Sequence, residues 1–131
     1  MFLQVMNQEE KERFMEFVYK VANIDGDFAE EEQEIINSYK NELGIENINE
    51  TGNVDELIDY FANKADPLKR IVLFETIGLV NADDKVQEAE ANLLSNIKKK
   101  FGLDAEIAEK IQNVAEKLQK VYDEIYDTLF D

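Results

Sequence analysis

The chain has no histidine, no cysteine and no tryptophan, and only one proline and five glycines among 131 residues. Each absence removes a class of chemistry. Without cysteine there is no disulfide, no iron–sulfur cluster and no thiol nucleophile. Without histidine or cysteine there is no nitrogen/sulfur zinc site. A serine–histidine or cysteine–histidine nucleophile and an imidazole general base are equally excluded. Carboxylates, lysines, tyrosines and two arginines, Arg13 and Arg70, are what remain for chemistry. Long apolar runs are missing too, and no window approaches a transmembrane span. The opening Met-Phe-Leu-Gln-Val-Met is short, lacks a basic flank and runs into Glu9 and Glu10, unlike a signal peptide. An acidic chain of this kind is expected in the cytoplasm, without direct membrane insertion.

What is present is acid. Asp and Glu number 30 against 14 Lys and Arg, a formal net charge of −16. Such a surface repels phosphate backbones, so nucleic acid is not expected as a partner. Basic protein surfaces and divalent cations are favoured, because carboxylate oxygens suit hard cations such as calcium or magnesium. The length fits a single domain over residues 1–131, enough for a sizeable core.

Apolar spacing is helical nearly throughout, and no segment alternates with period two, so an all-α bundle is predicted. Phe14, Phe17, Val18, Val21 and Ile24 recur at steps of three and four after Asn7, a capping residue. A second helix through Ile35, Ile36, Tyr39 and Leu43 stops at Gly44. A loop over 46–53 precedes a shorter helix with Leu57, Ile58 and Phe61. Asp66-Pro67 reads as a helix start, Asp66 capping and Pro67 in the first helical position. The helix it opens is apolar on more than one side, the candidate for the central buried helix. A further helix from about Val86 to Phe101 stops at Gly102, and Asp104 caps the last one.

The chain also repeats itself. Shifted by 58 residues, Asn23, Asp25 and Glu32 fall on Asn81, Asp83 and Glu90, and Leu43-Gly44-Ile45 falls on Phe101-Gly102-Leu103. Two pseudo-repeats, about 8–45 and 66–103, each read as helix, acidic turn, and helix closed by glycine. Each turn sets an Asp seven residues before a Glu in the next helix's first turn. Carboxylates from a turn and a following helix are how calcium loops gather oxygen ligands. The candidate metal ligands are Asp25, Asp27 and Glu32 in the first turn, and Asp83, Asp84 and Glu90 in the second. The twelve-residue spacing of an EF-hand is absent. The same acids also serve helix capping and the macrodipole, which needs no metal.

Ala22-x-x-Asp25-Gly26-x-Phe28-x-x-x-Glu32 followed by Leu43-Gly44 resembles the signature of the tellurite-resistance TerB-like domains. The N-terminal domain of a membrane-anchored DnaJ-type co-chaperone belongs to the same superfamily. The second copy keeps Asp83, Val86 and Glu90 but has Asp84 in place of the glycine. The resemblance spans about residues 8–105. It implies a compact all-α fold of two pseudo-repeats, a stress-response setting, an acidic surface for a divalent cation or a protein partner, and no established catalytic activity.

The last helix carries Ile107, Ile111, Val114, Leu118, Val121 and Ile125 at alternating steps of four and three. That stripe fits packing within the chain, and equally a homodimer or partner helix. Tyr122, Tyr126 and Phe130 form a candidate partner-binding aromatic edge. Lys98-Lys99-Lys100, at a helix end, reads as complementing the macrodipole. The expectation is a non-catalytic acidic helical module that binds a divalent cation, a protein partner, or both. The alternative is a structural or oligomerising protein whose acidic turns only cap helices.

Overall fold

Asn7 opens the first helix with a reciprocal cap. Its Oδ1 accepts from the Glu10 N–H at 2.8 Å, and Glu10 Oε1 accepts from the Asn7 N–H at 2.9 Å. In the computed structural model, which describes residues 2–24, 30–50, 52–82 and 88–130, this helix is α1, Gln8–Ala22. It is followed by α2 (Glu30–Leu43), α3 (Val54–Ala62), α4 (Asp66–Val80), α5 (Glu88–Phe101) and α6 (Ala105–Phe130). A short 3-10 turn, Leu3–Val5, precedes α1 and packs on α2, burying Leu3 and Met6. No strand occurs among the described residues, and the molecule is an all-α bundle with a long C-terminal helix.

The helix bounds follow the repeat. Those of α4 are those of α1 moved by 58 residues, and those of α5 are those of α2 moved by the same amount. Asn23 and Asn81 cap the C-termini of α1 and α4. Gly44 and Gly102 close α2 and α5 with φ of +69° and +62°. After Gly44 the Ile45 N–H reaches back to the Lys40 carbonyl at 3.0 Å, which takes up a carbonyl the helix end leaves open.

Helix α4 sits in the middle and contacts α1, α2, α3, α5 and α6. Its Val72, Leu73, Ile77, Leu79 and Val80 are all buried, as expected of a helix apolar on several sides. Phe14, Phe17, Phe61 and Phe101 fill the same core from α1, α3 and α5.

One local reading of the sequence is corrected. Ala65, not Asp66, is the N-cap of α4, with no side-chain hydrogen bond; Asp66 is helical and pairs with Lys69 at 3.1 Å. At the end of α5 Lys98, Lys99 and Lys100 stand in the last turn, and Lys69 of α4 also donates to the Phe101 carbonyl at 2.9 Å. Helix α6 packs along α4, burying Ala108 and Ala115, with Ile111 of its stripe partly buried against the core. Val114 of the stripe is half exposed.

Candidate functional site

Of the acidic-turn residues, Asp25, Asp27, Asp83 and Asp84 lie outside the described residues. Glu32 and Glu90 stand in the first turns of α2 and α5, each 2 % exposed, so the repeat holds down to the burial of a charged side chain. Among the described residues no group of three or more acidic side chains is placed to hold a metal ion.

The site the structure does assemble is a groove of about 610 Å³ between α2, α4 and α6. Its floor is Ile35, Tyr39, Phe74, Gly78 and Ala82, and one wall is Ala115, Leu118, Tyr122 and Tyr126 of α6. Phe2 meets Phe74 edge-on, with ring centroids 6.3 Å apart. Glu31, Glu34 and Asp123 stand exposed on its rim, and no lysine or arginine lines it. At the base, Tyr39 donates its hydroxyl to Glu75 Oε2 at 2.8 Å. Burial, then the Glu75 carboxylate, pushes the Tyr39 hydroxyl well above its ordinary pKa.

The aromatic edge read from the sequence divides here. Tyr122 and Tyr126 line the groove, whereas Phe130 lies beyond it and packs on Tyr126 with ring centroids 4.9 Å apart. All three are exposed, and every described residue of α6 from Lys120 onward is exposed as well. Val121, Ile125 and Leu129 line a separate shallow depression on the same length of helix. The helix thus leaves the core about three turns before its end while still carrying large apolar side chains.

Other charged clusters serve the fold. Glu16 is buried, and its carboxylate accepts from the Gly52 N–H at 3.2 Å, tying the loop before α3 to α1. Tyr60 donates to Glu9 at 2.9 Å beneath the Lys64 ammonium, which pairs with Glu10 at 3.2 Å. Burial and the Glu9 bond raise the Tyr60 pKa, and the Glu10 bond raises that of Lys64.

The groove was not read from the sequence. Its one sequence-level signal is Gly78, a glycine in the interior of α4, where it weakens a helix.

Residues 46–131, from the loop before α3 to the end of α6, match the transcription regulator spe-44-like domain. No curated protein and no solved structure matches the chain. This match overturns the TerB-like resemblance and the tellurite-resistance, stress-response setting it implied. That resemblance rested on a short signature, Ala22, Asp25, Gly26, Phe28, Glu32 and Leu43-Gly44 with its partial second copy, whose acids are also what helix starts commonly carry. Among the described residues no helix is long and apolar enough to cross a membrane. With two thirds of its length matched, the chain belongs to the Spe-44-like transcription regulator domain family.

Proposed function

We propose that this chain is a non-catalytic protein-docking module, working in a regulatory setting such as its family's name describes, and that the distal half of α6 is its contact surface. The observation that carries this reading is the exposure of Val121, Tyr122, Ile125, Tyr126, Leu129 and Phe130, between 47 and 71 % on one short helical stretch. Clustered apolar exposure of this kind marks interaction surfaces, because water disfavours it unless a partner covers it. The charge of −16 argues that a regulator of this composition acts through protein contacts rather than by gripping a phosphate backbone. The same charge opposes pairing of α6 with a second copy and favours a basic partner.

The test is a selection of random peptides displayed on phage against the immobilised chain. The expected result is enrichment of peptides with apolar residues at helical spacing, whose binding weakens at least tenfold on Ile125→Ser or Tyr126→Ser and is unchanged by Asn113→Ser. No enrichment, or binding indifferent to the α6 substitutions, overturns the reading.

A further inference from the structure

Gly78 has no structural reason to be glycine. It lies within the fifteen residues of α4, and a Cβ built there meets nothing within 4 Å. Glycine in a helix interior weakens the helix relative to alanine. The positive-φ glycines at 44 and 102 are explained by helix termination, and Gly52 by the close Glu16 carboxylate. What Gly78 does is keep the floor of the α2–α4–α6 groove low, four residues before Ala82, which lies just past the end of α4. Such a floor admits the close approach of another backbone.

The groove's shape and chemistry narrow the occupant. The stretch of α6 that walls it, Ala115 to Tyr126, runs about 16 Å, three helical turns. Its interior is apolar and aromatic, and its charged rim is acidic on both sides: Glu31 and Glu34 from α2, Asp123 from α6. A helix that fits must present an apolar face inward and basic side chains outward.

We propose that this groove seats a basic amphipathic helix of a protein partner, its apolar face over Gly78 between Tyr39 and Tyr122 and its Lys or Arg side chains against Glu31, Glu34 and Asp123. This rests on the docking reading above and adds to it the seat and the partner's chemistry.

The test uses three synthetic peptides of about fourteen residues, titrated into the full chain by fluorescence anisotropy. One is amphipathic with a basic polar face, one is amphipathic with an acidic polar face, and one is the basic composition scrambled so that no apolar face forms. The basic amphipathic peptide is expected to bind at least tenfold tighter than either of the others. Gly78→Leu, whose Cβ enters open space and whose side chain extends over the floor, is expected to weaken it at least tenfold while the chain still melts cooperatively. The pair Glu31→Lys and Glu34→Lys, exposed and so tolerated by the fold, is expected to weaken it too and to flatten its salt dependence.

Equal affinity for all three peptides overturns the proposal. So does binding that ignores both Gly78→Leu and the charge reversal. If such binding is still lost on Ile125→Ser, the seat is wrong and the docking reading stands. If no peptide binds and the phage selection also fails, both fall.

Discussion

Tyr39 of α2 donates its hydroxyl to the Glu75 carboxylate of α4 at 2.8 Å, with both side chains buried. The bond joins the two helices that floor the groove. A hydrogen bond to a charged acceptor contributes about 1.5–3 kcal/mol where neither group can turn to water. Tyr39→Phe is therefore expected to lower stability by about 2 kcal/mol, read as a lower urea midpoint with an unchanged slope. The bond also sets a sign for pH. Burial and Glu75 raise the folded-state pKa of Tyr39, so the stability it contributes is intact below about pH 10 and drains away as pH climbs toward the raised value. Tyr60 and Lys64, also raised, lose stability in the same direction. Urea midpoints between pH 8 and 11 are expected to fall in both proteins, and more steeply in wild type than in Tyr39→Phe. An equal slope refutes the assignment.

Three glycines are expected to answer alanine differently. At Gly44 and Gly102 the backbone has φ of +69° and +62°, where a Cβ is strained, so Gly44→Ala and Gly102→Ala each cost about 1 kcal/mol. Gly78 is helical with open space at its Cβ, so Gly78→Ala gains roughly the same amount. Thermal melts of the three variants check this: two melting points fall and one rises.

Much of this architecture was legible because it is local. Apolar steps of three and four located the six α-helices of the described residues, and Gly44 and Gly102 ended two of them where expected. The 58-residue shift carried over to the helix bounds themselves. What escaped is long-range. Tyr39 and Glu75 are 36 residues apart, as are Glu16 and Gly52, and no periodicity pairs them. The stripe on α6 was visible, but its contact line was not. Of its large side chains Ile111 packs partly against the core, while the buried positions went to Ala108 and Ala115. The family was misread for a related reason: a short signature around a turn, from Ala22 to Glu32, reports a helix–turn–helix more than ancestry.

Gly52 and Glu16 form the tightest joint of the loop before α3. A Cβ at position 52 would stand 2.8 Å from Glu16 Oε1, while the backbone N–H there donates to the same oxygen. Gly52→Ala must displace a buried carboxylate from its donor, at about 1–3 kcal/mol. Glu16→Ala removes both the clash and the bond. Gly52→Ala should therefore add little in a Glu16→Ala background, a non-additivity that a double-mutant cycle measures directly. Full additivity is the contrary result.

Helix α6 is expected to split into two parts in mutagenesis. Ala115 is 6 % exposed against α4, so Ala115→Leu overpacks the joint and costs about 1–3 kcal/mol. Leu129 and Phe130 are 68 and 71 % exposed, so Leu129→Ser and Phe130→Ser change stability by less than about 0.5 kcal/mol. A chain that paired through this stretch would behave otherwise, since those side chains would then be covered and their loss would lower a melting point that itself rises with concentration. Light scattering distinguishes the cases. The charge of −16 on each copy and the acids Asp123, Glu124 and Asp127 beside the stripe oppose self-pairing, so a mass of 15.2 kDa is expected at low salt. A dimer that dissociates on Ile125→Asp would instead make a second copy the occupant of α6.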